Sequence, residues 1–112
     1  MKIFLDDTKL SPVGWKCVKS IDTFKNTIQE NADDLEVISL DYDLEVTDKG
    51  RTGLDACRYL IENEIRCPKI IIHSTHPRAR RMRELLEEHM KNTEIRMEEY
   101  NFFEIVKEYD KK

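Results

Sequence analysis

The run Val37-Ile38-Ser39-Leu40 passes directly into Asp41-Tyr42-Asp43-Leu44. Its near-continuous apolar character predicts a strand covered on both faces, the condition of a central strand in a parallel sheet. The two aspartates then place charge at the strand's carboxyl end. In open parallel sheets, ligands bind outside the carboxyl ends of the strands, near the switch in strand order. Two further runs follow the same plan. Lys2-Ile3-Phe4-Leu5 ends in Asp6-Asp7, and Lys69-Ile70-Ile71-Ile72 ends in His73-Ser74-Thr75-His76.

Helix-like segments separate these runs. Ser20 is positioned as an N-cap for a helix with Ile21, Phe24 and Ile28 on one face. Thr52 and Asp55 have capping-box spacing, ahead of an apolar face of Leu54, Cys57, Leu60 and Ile61. Pro68 stops the chain before the Lys69–Ile72 strand. Pro77 suits the first turn of the next helix, whose buried stripe is expected to be Met82, Leu85, Leu86 and His89. Trp15-Lys16-Cys17-Val18-Lys19 reads as a strand. A weaker strand spans Glu94–Tyr100, and a short helix, Phe102–Tyr109, closes the chain. Between Asp7 and Trp15 there is room for a loop but no convincing helix. Strands alternating with helices define an α/β domain with a mainly parallel sheet.

At 112 residues, the expectation is one domain, 1–112. No apolar stretch approaches the length that crosses a bilayer, and the N-terminus enters a strand with no signal-peptide plan, so a cytoplasmic protein with no membrane partner is expected. The net charge of -4 argues against broad, nonspecific nucleic-acid binding, which depends on neutralising many phosphates. Cys17, Cys57 and Cys67 are odd in number and form no CxxC pair, so neither a zinc site nor a disulfide framework is expected.

If the strands ending at Leu5, Leu40 and Ile72 are neighbours, their polar ends meet. Asp6, Asp7, Asp41 and Asp43 then repel one another unless a cation or protons neutralise them. Hard oxygen ligands at that density suit Mg²⁺, or Mn²⁺. After His76, Arg78, Arg80, Arg81 and Arg83 crowd a helix start, where positive charge opposes the helix dipole. A bound phosphate would reverse that cost. Arg80 can reach Glu84 and Arg83 can reach Glu87. Arg78 has no acidic partner onward, and Arg81 shares Glu84, so Arg78 and Arg81 are the phosphate candidates. His73, beside Ser74, is a candidate for binding phosphate or moving a proton. His76 has helix capping as its plainer role, and His89 a structural one.

The ordered motifs Phe4-Leu5-Asp6-Asp7, Gly14-Trp15, Ser39-Leu40-Asp41-Tyr42-Asp43-Leu44, Thr52-Gly53-Leu54-Asp55, Ile72-His73-Ser74 and Pro77 onward resemble a divergent receiver branch. That branch is the cyclic-phosphate processing receiver domain. The resemblance, together with the alternation, implies a receiver-like (flavodoxin-like) three-layer fold: a five-stranded parallel sheet in the order 2-1-3-4-5, helices on both faces, the first helix reduced or lost. It implies activity on a cyclic phosphate, carried by a nucleotide or an RNA end. A metal would sit on the aspartates, Asp41 and His73 would do the chemistry, and Ser74, Arg78 and Arg81 would meet the phosphate. Alternatives are an aspartyl-phosphate signalling switch and a noncatalytic nucleotide- or anion-binding module. Against the switch, no Lys ends the fifth strand, where receivers carry one. Tyr42 stands where the closer family often has His.

Overall fold

The computed structural model describes residues 1–98. Five strands, β1 (Lys2–Leu5), β2 (Lys16–Val18), β3 (Val37–Leu40), β4 (Lys69–Ile72) and β5 (Glu94–Met97), alternate with helices α1 (Ile21–Glu30), α2 (Gly53–Glu62) and α3 (Ala79–His89). The sheet order is β2-β1-β3-β4-β5, and every pairing is parallel. Order and direction agree with the expectation. The β1–β2 connection contains no helix, so the lost first helix is real.

Strand side chains alternate between two faces. Ile3, Leu5, Ile38, Leu40, Ile70 and Ile72 share one face and pack with Ile21, Phe24 and Ile28 of α1, Cys57 and Leu60 of α2, and Met82 and Leu86 of α3. The three helices thus form one layer on this face, with α2 touching both α1 and α3. Of the helices expected on both faces, none among the described residues covers the other, because the helix between β1 and β2 is lost and the one expected at Phe102–Tyr109 lies outside the described residues. The register places Phe4 beside Ser39 and Ser39 beside Ile71 on the opposite face. The helix expected at Phe102–Tyr109, and the end of the strand expected to reach Tyr100, lie outside the described residues. The last described link of that strand is Glu98 N–H donating to the Ile72 carbonyl at 3.0 Å.

Caps follow the sequence at two helices. Ser20 Oγ accepts from Thr23 N–H, and Thr52 with Asp55 closes the expected capping box. Helix α1 has a second cap from far along the chain: buried Asp48 accepts the Ile21 N–H at 2.6 Å and the Arg51 Nε–H at 2.8 Å.

Two details of α3 differ from expectation. The helix begins at Ala79, and Pro77 lies in the preceding turn, closed by Ala79 N–H donating to the His76 carbonyl at 2.9 Å. His89 is exposed rather than buried. The helix ends there, and Met90, leaving the helix, packs against the core in its stead. Among the described residues no helix is long and apolar enough to cross a membrane. All three cysteines are free.

Candidate functional site

Leu5, Leu40 and Ile72 lie level across the three central strands. The backbone ladder continues one residue beyond each of them. Asp6 N–H donates to the Val18 carbonyl at 3.1 Å, Asp41 N–H to that of Leu5 at 3.0 Å, and His73 N–H to that of Leu40 at 3.0 Å. Asp6, Asp41 and His73 therefore leave the sheet side by side, all buried. One ligand atom from each lies within 4.8 Å of the others.

Their hydrogen bonds form a connected set. Asp6 Oδ1 accepts the backbone N–H groups of Thr8 and Lys9, both at 2.9 Å. Asp6 Oδ2 lies 2.9 Å from His73 Nε2, and His73 Nδ1 lies 2.6 Å from Ser39 Oγ. A hydroxyl rotates to donate or accept, so Ser39 serves either tautomer of the ring. Phe4 stacks on His73 with centroids 4.4 Å apart and planes 2° apart, and Trp15 meets Phe4 edge-on at 6.3 Å.

Burial works to raise the Asp6 carboxyl, but hydrogen bonds from His73, Lys9 and Thr8 outweigh it and hold the group below its ordinary value. Asp41 is pushed up, first by burial and then by the charge of Asp6. Two buried carboxylates in mutual repulsion, with an imidazole beside them, are a donor set that a divalent cation would neutralise. This Asp-Asp-His group could hold a metal ion.

Gly53 explains how the next helix comes so close. A Cβ there would lie 2.1 Å from the Asp41 carbonyl oxygen and 2.6 Å from Met82 Cε. Without one, Gly53 N–H reaches the Tyr42 carbonyl at 2.8 Å, which seats α2 directly against the acidic strand end.

A cavity of about 310 Å³ opens at this edge, lined by Asp7, Asp41, Asp43, Glu45, Ser74 and His76 together with Thr8, Lys9, Val46 and Thr75. Asp7 Oδ2 accepts Val46 N–H at 3.0 Å, and Asp43 Oδ1 accepts Glu45 N–H at 3.0 Å. The structure thus brings all four expected aspartates to one edge in two groups. Asp6 and Asp41 join His73 in the buried cluster, while Asp7 and Asp43 stand in the cavity wall with Asp41. Ser74 lines the cavity. His73 does not, and neither do Arg78 and Arg81. Both arginines are exposed, and Arg81 lies 3.7 Å from Glu84.

Sequence reasoning passed over Lys9, the one Lys or Arg in the lining, and left His76 between a functional role and helix capping. The signal for Lys9 was available. With no helix after β1, the residues following Asp6-Asp7 stay at the strand end.

A parallel sheet in the order β2-β1-β3-β4-β5 whose acidic cluster sits at the carboxyl ends of its central strands defines the receiver-like class of α/β domain. The cyclic-phosphate processing receiver domain matches residues 1–88, and the chain belongs to that family. No curated protein and no solved structure matches it.

Proposed function

We propose that the chain is a metal-dependent phosphoesterase-like domain that processes a cyclic phosphate, on a nucleotide or on an RNA end bearing a 2′,3′-cyclic phosphate. The observation that supports this is the convergence of Asp6, Asp41 and His73 within 4.8 Å, beside a cavity that Asp41 also lines. In this reading Asp6, Asp41 and His73 hold one divalent cation, with Asp7 and Asp43 as acceptors for its waters. Mg²⁺ keeps several waters in such sites, and an imidazole among carboxylates suits Mn²⁺ as well. When bound, the cation polarises a phosphoryl oxygen and lowers the pKa of water.

The chain's own groups do the rest. Asp41 is the catalytic carboxylate, since it belongs to both the cluster and the cavity lining. His73 is buried behind Asp6: in the metal-free protein its Nε2–H fixes that carboxylate, and to join the cation's ligands it would carry its proton on Nδ1, toward Ser39 Oγ, and offer the Nε2 lone pair. Ser74 and Lys9 offer a hydroxyl and an ammonium to phosphate oxygens. Arg78 and Arg81, outside the lining, serve parts of the substrate that extend beyond it. The cavity carries four carboxylates, Asp7, Asp41, Asp43 and Glu45, against Lys9. An anionic phosphate therefore needs the cation before it can enter.

The test is hydrolysis of 2′,3′-cyclic nucleotides, 3′,5′-cyclic nucleotides and cyclic-phosphate RNA ends with Mg²⁺ or Mn²⁺, with a chelator control. Metal-dependent opening of a cyclic phosphate, abolished in Asp41→Asn, is expected. Absence of turnover on every substrate with either metal would overturn the proposal.

A further inference from the structure

The ring of His76 lines the cavity and lies on the buried ring of Tyr42, with centroids 4.3 Å apart and planes 24° apart. Its Nδ1 accepts the backbone N–H of Arg78 at 3.0 Å, and its own backbone N–H donates to Ser74 Oγ at 3.1 Å. A nitrogen that accepts an N–H holds a lone pair, so the neutral ring carries its proton on Nε2. Among the described residues, Nε2 makes no hydrogen bond. The stack on Tyr42 and the Arg78 amide thus fix both the plane of the ring and its tautomer, and leave one nitrogen, a donor, unused in a cavity wall.

We propose that His76 is a substrate-binding residue whose Nε2–H donates a hydrogen bond to a phosphoryl oxygen of a phosphate ester in the cavity; this rests on the function proposed above. The charged groups that share the lining are Asp7, Asp41, Asp43, Glu45 and Lys9. The four carboxylates accept and cannot donate. A phosphoryl oxygen needs donors, and His76 supplies one with no flexible charged stem to order. The role is binding and orientation, not proton transfer: giving up Nε2–H from the neutral ring would leave an imidazolate.

The experiment uses ¹⁵N-histidine NMR on the Mg²⁺-loaded full chain at about pH 8, above the usual titration range of histidine, with 2′,3′-cyclic AMP as the probe. The free protein should show His76 protonated on Nε2, and saturation with the probe should move that Nε2–H resonance downfield. His76→Phe keeps an aromatic ring for Tyr42 and removes the donor, so it should weaken binding about tenfold. His76→Gln restores a donor and should stay within about threefold of wild type. Saturation that shifts other cavity resonances but leaves Nε2 unmoved would overturn the inference while sparing the proposed function. Unchanged affinity in His76→Phe would do the same. If no cavity resonance of the wild-type protein responds to 2′,3′-cyclic AMP, this inference falls, while the proposed function stands or falls by the turnover screen above.

Discussion

Ser39 is the polar residue within the apolar β3, and its burial is explained by one contact. Its hydroxyl is 2.6 Å from His73 Nδ1. Ser39→Ala leaves that buried nitrogen without its partner, which should cost about 1–3 kcal/mol and lower the urea midpoint with an unchanged slope. An unchanged midpoint would mean the contact adds nothing. Cys57 offers a different check. Burial pushes its thiol up to about 12, against about 8.5 in an unfolded chain. The folded state therefore holds the proton more tightly. Stability from this group is complete below the unfolded value and falls as pH rises through the window up to about 12, by roughly 1.4 kcal/mol per pH unit. Native protein treated with iodoacetamide at about pH 8.5 should alkylate half-buried Cys17 before Cys57. Early modification of Cys57 would contradict the packing. At this scale the sequence showed residue types well and side-chain partners poorly. The carboxylates of Asp6 and Asp7 are adjacent in the chain, yet one binds His73 and the other the Val46 amide, a division that only the strand pleat decides.

Elements were more legible. The α1 and α2 caps follow from short-range chemistry, and the helices begin where those caps place them. The α3 start does not, because Arg78 occupies the cap position without a side-chain cap, and a turn closed on His76 sets the start. Gly53 was recognisable as part of a motif, but its reason is spatial: a backbone-to-helix contact that admits no Cβ. Gly53→Ala should destabilise the fold by about 3 kcal/mol, the upper end of ordinary overpacking, as read by chemical denaturation. Trimming Met82 should not rescue it, since the clash with the Asp41 carbonyl remains. A Gly53→Ala protein as stable as wild type would show that α2 can retreat from the strand end freely.

Across the whole molecule, a run of alternating apolar and polar segments, together with the family resemblance, was enough to place five strands in order, because parallel sheets admit few connections. The same reading placed Asp6, Asp7, Asp41 and Asp43 at one edge. It also placed His73 beside those carboxylates, but it did not divide them into Asp6 and Asp41 with His73 and Asp7 and Asp43 in the cavity wall, nor place Arg78 and Arg81 outside the lining, since strand register and helix start decide those. The buried carboxylate pair makes a global prediction. A cation held there binds the folded state alone, so a hundredfold excess over Kd should add about 2.7 kcal/mol. That is a rise in Tm of roughly 10 °C or more for a chain of this size, reversed by chelator. Asp41→Asn should lose the rise, yet without metal it should melt no lower than wild type, because it removes one of two repelling charges. A full metal-induced rise in Asp41→Asn would place the cation elsewhere.

The ring sequence Trp15–Phe4–His73 gives the chain a built-in optical gauge. Trp15 is the single tryptophan, edge-on to Phe4, which lies flat on His73. Any event that turns the His73 ring must be absorbed by Phe4 and felt by the indole, so the emission of Trp15 registers the occupancy of the acidic edge with no label attached.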